Sequence, residues 1–357
     1  MRTLDAQAND SRRKRKMEAI LLVGGKGTRL LPLTRDTPKP MLKVAGVPFI
    51  AHQIGYAKQH GISRIVVATS YKTEQFLDYL GDGSAFGIEI IHAIEAEPLG
   101  TGGAIANAGV YLESGESEPV AILNGDVLSA HDISAQIRVH QMHQADATLH
   151  LIEVEDARAY GSVPTDEDGQ ILEFVEKSEN PPTKFINAGC YIFTRRVISE
   201  IPRGKVVSVE RETFPSFLGA HKKLWSFKSN DYWIDIGTPQ ALLKASNDLL
   251  TGVFYSPALP SESLQGSFKE KRFIDVGATV DSSAQIGVGS AVGVSSIKAR
   301  VVIEESIIGD SVLIENGAQI RRSIIGNGVV IGAGAIVENG IIGGPGLVIE
   351  PNSRQIH

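Results

Sequence analysis

The chain has 357 residues, a single cysteine, and 35 Lys and Arg against 41 Asp and Glu, for a net charge of −6. That length supports two domains with cores of their own, and the acidic balance leaves no general nucleic-acid footprint. The lone Cys190 excludes an internal disulfide and suits a reducing cytoplasm, and no apolar run approaches the ~20 residues that a membrane span requires.

Residues 1–16 are polar and hold the basic run Arg12-Arg13-Lys14-Arg15-Lys16. No apolar segment follows as it would in a secretory signal. The run reads as a solvated tail, with nucleic-acid contact or nuclear targeting as the alternative. From 17 to about 250, apolar strand runs alternate with helical patterns, the βαβ rhythm of a mostly parallel sheet. Strands are expected at 17–23, 63–70, 87–93, 119–123, 147–154, 171–176, 187–193 and 224–227. Helices are expected at 47–60, 73–80, 101–111, 131–145, 211–218 and 239–250. Residues 251–273, with Pro257, Pro260 and a Ser/Gly-rich run, read as a linker.

After the linker the period changes. Ile274, Val280, Ile286 and Val292 are six apart; so are Val302, Ile308, Ile314 and Ile320, and so are Ile324, Val330, Ile336, Ile342 and Val348. Aliphatics at every sixth position are the hexapeptide repeat of a parallel β-helix over 274–350, each pointing into a triangular core. An ordinary sandwich strand would alternate with period two. Residues 351–357 read as a short tail.

The densest stretch of chemistry is 23–41. An apolar strand runs into Gly24-Gly25-Lys26-Gly27-Thr28-Arg29, and Pro38-Lys39-Pro40 follows. Glycines expose backbone N–H groups, and Lys26, Arg29 and Lys39 add cations. Together they supply the donors that a triphosphate's oxygens demand. The order differs from the ATPase phosphate loop, which ends Gly-Lys-Ser/Thr, and no third glycine opens a helix as in the dinucleotide fingerprint.

This signature resembles that of the sugar-1-phosphate nucleotidyltransferases, and the resemblance runs through nearly all of the chain after Met17. It implies a Rossmann-like catalytic domain over 17–250, and likeness to other hexapeptide proteins implies that the β-helix is left-handed. It places Gly24, Gly25, Lys26, Gly27 and Thr28 around the nucleotide, Arg29 on the leaving pyrophosphate and Lys39 on the α-phosphate. Asp126, in Leu123-Asn124-Gly125-Asp126, and Asp235, in Trp233-Ile234-Asp235, resemble the family's Mg²⁺ pair; a lone Asp at a strand end is otherwise a turn former or cap. Magnesium binds through one or two carboxylates plus substrate phosphates.

Base recognition is expected in Glu95-Ala96-Glu97-Pro98-Leu99-Gly100-Thr101-Gly102-Gly103. Guanine offers N1–H and N2–H₂ donors on one edge, which a carboxylate such as Glu95 can accept, with Gly100 and Thr101 near the base. As edge-strand charges, Glu95 and Glu97 would need no ligand. The sugar side is implied at Tyr160-Gly161, Glu176-Lys177 and Asn187-Ala188-Gly189. The Glu-Lys pair also fits an ordinary solvated surface pair, and Trp233 fits either a sugar contact or core packing.

The expected reaction joins a sugar 1-phosphate to GTP and releases pyrophosphate. Segments such as Ile-Asn-Ala-Gly-Cys-Tyr and Val-Ser-Val-Glu-Arg-Glu resemble the family's mannose-1-phosphate guanylyltransferases; a cyclitol such as valienol 1-phosphate, or a heptose 1-phosphate, stays open as acceptor. An inactive regulatory subunit of the same fold is the alternative, disfavoured by the intact charged residues. The β-helix has no histidine to serve acyl transfer, so it is expected to act in homo-oligomerisation or as a scaffold. No nucleic-acid or membrane partner is expected.

Overall fold

The computed structural model describes residues 17–259 and 268–356. The basic tail at 1–16 and the middle of the expected linker lie outside the described residues. By contact the described chain forms two compact units. One is built from the segments up to Gly24, Ala57–Gly125 and His131–Asp231, the other from Gly25–Tyr56, Asp126–Ala130 and Tyr232 onward.

The first unit holds a nine-stranded mixed sheet. Its strands are β1 (Met17–Leu22), β2 (Ile62–Thr69), β3 (Glu89–Ile94), β4 (Pro119–Asn124), β5 (Ala147–Glu153), β6 (Gly161–Ser162), β7 (Val175–Glu176), β8 (Phe185–Thr194) and β9 (Leu224–Ser229). The order is β7-β6-β8-β4-β1-β2-β3, with β5 pairing both β8 and β9. β1 runs parallel to β2 and β4, while β8 runs antiparallel to β4 and β5. β1 and β2 read as near-continuous aliphatic runs because both faces are covered, as parallel central strands require. Tyr191, Phe193 and Phe214 are among the largest core side chains, and Phe214 meets the other two edge-to-face.

The chain leaves β1 toward β2 and β3, then returns on β1's other side as β4. This is the topological switch point at which open α/β sheets bind ligands, beyond the strands' carboxyl ends. The ends of β1 and β4 abut: the Gly125 N–H donates to the Leu22 carbonyl at 2.8 Å, and a Cβ on Gly125 would overlap that oxygen. The signature loop and the Asp126 turn therefore both begin at this point in the chain.

Most expected strand and helix positions recur within a few residues, but of the strand expected at 171–176 only Val175–Glu176 forms, and one helix differs in kind. The expected helix at 211–218 begins as a π-helical turn, Val209–Thr213, before the α-helical Phe214–Gly219. Ser208 caps it, accepting from Arg211 N–H, while its own N–H donates to Glu212.

In the second unit, three sheets stack into the left-handed parallel β-helix, parallel throughout except where Phe268–Lys269 pairs antiparallel with Arg272–Ile274. The stacking step corrects the strict six-residue reading. Ile307 pairs with Ile324 and Ile324 with Ile341, a step of 17 residues, so one side of each such turn is five residues long. The inward row is Ile286, Val292, Ile297, Ile303, Ile308, Ile314, Ile320, Ile325, Ile331, Val337, Ile342 and Ile349. Val302, Ile324, Val330, Ile336 and Val348 were expected inside and instead lie on the outer surface of the coil. Ile307 and Ile324 are nonetheless buried. Together with Phe273 and Ala291 they form a second core with Leu30, Val44, Phe49, Leu242 and Leu249. That double burial explains the Ile-Ile doublets on this side.

Candidate functional site

The charged centre is assembled in the second unit. Gly27 has φ +60, and a Cβ there would sit 3.0 Å from Lys39 Cβ and 3.1 Å from Thr34 Cγ2. Glycine thus serves both the left-handed turn and the close approach of Lys39. The Thr34 hydroxyl closes the loop by donating to the Gly27 carbonyl at 2.9 Å. Lys39 opens a short 3₁₀ turn, Lys39–Met41, and is buried at 7% exposure.

Its Nζ lies 3.0 Å from Asp126 Oδ2 and 3.7 Å from Asp235 Oδ1. The two aspartates are positioned by a small antiparallel ribbon: Trp233–Asp235 pairs with Val127–Ser129, Asp235 opposite Val127. The Ile236 N–H donates to the Asp126 carbonyl and extends the register by one bond. Arg29 reaches the same corner, since a Cβ on Gly237 would fall 2.7 Å from its guanidinium. Burial raises the Asp235 carboxyl above its usual range, the Asp126 charge adds to this, and Lys39 and Arg29 oppose it.

Among the described residues no three His, Cys, Asp or Glu converge on a metal position. The Asp126–Asp235 pair nevertheless fits a hard dication that takes its remaining ligands from phosphates and water. Two observations carry this fit. The Lys39 ammonium stands as a cation between both carboxylates. Asp235 Oδ1 is buried and accepts no hydrogen bond.

The remaining members of the glycine loop present open backbone. Gly25, Lys26, Thr28 and Arg29 are exposed, and nothing crowds Gly25. In the first unit, Gly24 packs on Ser70, whose hydroxyl donates to the Gly24 carbonyl at 3.1 Å.

The other expected residues lie in the first unit. Glu95 is 7% exposed, and its Oε2 accepts from the Leu99 N–H at 3.1 Å, closing the turn on itself. Burial raises its carboxyl above the usual range, opposed by that N–H. Gly100, at φ +70, and Gly103 leave no room for a Cβ against the Val207 and Lys205 carbonyls. The Val207 carbonyl accepts from Gly102 and Gly103, so these two amides in the first turn of helix Gly100–Ala108 are committed to protein. Thr101 donates to Glu210 Oε2 at 2.9 Å and accepts from the Val209 N–H. Glu210, which also accepts from Ser208, was given no role by sequence reasoning; its signal is the Ser-x-Glu-x-Glu spacing, where Glu212 serves the cap and leaves Glu210 for Thr101.

On the expected sugar side, Gly161 lets Glu176 Oε2 approach to within 3.0 Å of where a Cβ would be. Lys177 is exposed, has φ +47, and pairs with Glu176 at 3.5 Å. Asn187 donates to the Tyr191 hydroxyl at 2.8 Å and accepts from the Gly189 N–H at 3.1 Å, holding a bulge in β8 where Gly189 has φ +78. Its amide therefore works within the strand. Cys190 is buried, its thiol pushed up by burial, and donates to Gln136.

Comparison with known proteins identifies the family. Residues 18–252 match the family model described as nucleotidyl transferase. The chain is 42% identical over 308 residues to a mannose-1-phosphate guanylyltransferase of Mycobacterium tuberculosis, spanning 86% of this chain and 84% of that protein. It is 33% identical over 310 residues to mannose-1-phosphate guanylyltransferase 1 of Arabidopsis thaliana, spanning 86% and 83%. HddC from Yersinia pseudotuberculosis, also solved in complex with GMP-PN, superposes with a TM-score of 0.56 at 33% identity, over 65% of this chain and 99% of its own. The family match and this likeness establish that the chain belongs to the nucleotidyl transferase family.

Proposed function

We propose that the protein is a sugar-1-phosphate guanylyltransferase that joins mannose 1-phosphate to GTP, forming GDP-mannose and pyrophosphate in the cytoplasm. The observation that carries this reading is the convergence of Lys39, Asp126 and Asp235, with Arg29 beside them. The choice of guanine rests on the buried Glu95 carboxylate as an acceptor for N1–H and N2–H₂. It draws further support from relatives named guanylyltransferases and from a structural neighbour solved with GMP-PN.

In this mechanism a sugar-phosphate oxygen attacks the α-phosphorus in line. A new P–O bond forms as the bond to the β-phosphate oxygen breaks, and both electrons of that bond leave with pyrophosphate. Lys39 holds the α-phosphate and Arg29 neutralises the departing pyrophosphate. The exposed backbone of Gly25 to Thr28 orients the triphosphate. Asp126 and Asp235 would hold Mg²⁺, which when bound neutralises charge on the phosphate oxygens. A phosphate oxygen is already nucleophilic, so positioning and charge suffice without a general base. Gly161, Glu176, Lys177 and Asn187 line the acceptor side, Asn187 by keeping the bulge in shape. Mannose is favoured over valienol or heptose 1-phosphate by the relatives' names alone. Self-association through the β-helix belongs to the same reading, and light scattering of the full chain tests it.

A pyrophosphate-release panel decides the substrates: GTP, ATP, UTP, CTP and dTTP against mannose, glucose, heptose and valienol 1-phosphates. The reading expects the largest kcat/KM for GTP with mannose 1-phosphate. A different best pair would replace the substrates, and release from none would overturn the function.

A further inference from the structure

The β-helix carries contacts to the signature segment that no packing role alone requires. Within the second unit, residues 30–49 lie along one side of the coil and are fastened at both ends around Lys39. Upstream, Pro32 and Leu33 rest on bare backbone. A Cβ on Gly343 would come 2.8 Å from Pro32 Cγ, and one on Gly326 would come 3.4 Å from Leu33 Cδ2. Downstream, Lys43 Nζ lies 2.7 Å from both oxygens of Asp310, and the turn at Gly46 (φ +84) fits so closely on the Phe273 ring that a Cβ would overlap it. Asp310 is itself fixed by the coil. It accepts from the Val294 N–H at 2.9 Å, and its own N–H donates to Asn327 at 2.9 Å. Lys39 sits between these anchors, four residues before Lys43, with Leu30, Val44 and Phe49 buried against Phe273, Ala291, Ile307 and Ile324.

We infer that the β-helix is part of the nucleotidyl transfer machinery, with Asp310, acting through Lys43, as a positioning residue for Lys39. The physical reason is local. The segment 28–42 has little regular structure of its own, mainly single-turn bonds such as Leu30 N–H to Gly27 O and Met41 N–H to Pro38 O, before the two-residue ribbon of Lys43–Val44 with Val47–Pro48. Three-residue 3₁₀ turns do not hold a lysine to a fraction of an ångström, and a displacement of about 1 Å in a reacting group costs on the order of a hundredfold in rate. The coil is rigid by repetition and supplies what the segment lacks. Asp310 lies 184 residues beyond Asp126 in sequence and touches no substrate in this reading. Its effect is therefore expected in kcat, through Lys39, and not in nucleotide KM.

This inference rests on Lys39 acting in the proposed reaction, so its test has one arm that needs no turnover. Asp310→Asn, Lys43→Met and the exchanged pair Lys43→Asp/Asp310→Lys are compared with wild type. Amide hydrogen exchange is followed at Leu30, Leu31, Arg35, Met41 and Leu42. We expect exchange there to rise about tenfold or more in each single variant, with β1 and β2 unchanged, and kcat to fall roughly tenfold to a hundredfold at near-constant KM for GTP. The exchanged pair is expected to recover part of both. Unchanged exchange in the single variants, or a loss confined to KM, overturns the inference. Wild-type enzyme that releases no pyrophosphate would strike the proposed function instead, and the exchange arm would still decide this one.

Discussion

Lys39→Met is the sharpest perturbation of the charged centre. It removes the ammonium that Asp126 and Asp235 share at 3.0 and 3.7 Å and keeps most of the side-chain volume. Removing one partner of a fully buried ion pair costs about 3–5 kcal/mol. Here the Asp126 and Asp235 side chains are 39% and 24% exposed, so water takes up part of the stranded charge, and a stability loss of about 1–2 kcal/mol is expected. The effect on rate is larger. Losing one preorganised donor at a developing charge lowers kcat about 10²–10³-fold, or about 3–4 kcal/mol. Without the ammonium the two carboxylates repel each other and favour a dication more strongly. Magnesium should therefore raise the melting temperature of the variant by more than it raises that of wild type. Lys39→Arg should not rescue fully, because a planar fork replaces the compact charge that lies 3.0 and 3.7 Å from the two aspartates. The assays are pyrophosphate release at saturating substrates and thermal melting across a magnesium series. A Lys39→Met enzyme within twofold of wild-type kcat, or one whose melting ignores magnesium, would refute the reasoning.

Two further outcomes follow from burial. Glu95→Gln keeps an acceptor for the Leu99 N–H, so the turn should persist, but it loses the charged acceptor for guanine's two donors. The kcat/KM for GTP should fall by about 10–100-fold while that for ATP changes little, read in the same release assay; equal losses for both nucleotides would remove Glu95 from base recognition. Burial lowers His131 and His140 to about 4 and, with His131 stacked on it at 3.8 Å, His150 to about 2. All three stay neutral in the fold, while the unfolded chain protonates them near 6.5. The unfolded state thus binds more protons below that pH, and stability falls as pH drops from about 6.5 toward 4. Between pH 7.5 and 5.5 each should cost about 1 kcal/mol, visible as a lower urea midpoint; a flat midpoint over that range would contradict the buried neutral assignment.

Much of the charged centre was legible from the chain because its parts are local motifs. Gly27 and Lys39 stand in one loop, Asp126 follows Gly125 in the turn after β4, and Asp235 ends a short strand two residues before Gly237. Their convergence came from family resemblance, since pairing of 127–129 with 233–235 joins segments a hundred residues apart. The β-helix was legible by period and only in part by phase: Ile286, Val292, Ile308, Ile314, Ile320 and Ile342 point in as expected. A five-residue side shifts the inward position by one in successive turns, so Ile325 and Ile331 point in where Ile324 and Val330 were expected. Asn187 holds the β8 bulge with one amide N–H and one Oδ1 lone pair, a geometry that residue type alone does not announce, and it keeps a second N–H and lone pair for the expected acceptor. Lys43 and Asp310 carried no signal, because a surface lysine and a coil aspartate look solvated until the fold brings them to 2.7 Å.

The most direct measurement for the central claim is turnover of Asp126→Ala beside wild type, with GTP, mannose 1-phosphate and magnesium. The account predicts equal amounts of pyrophosphate and GDP-sugar from wild type. It predicts loss of both from the variant, at a fold retained by melting and exchange. Unchanged turnover in Asp126→Ala would contradict it, because the carboxylate pair around Lys39 would then be structural and the chemistry would lie elsewhere.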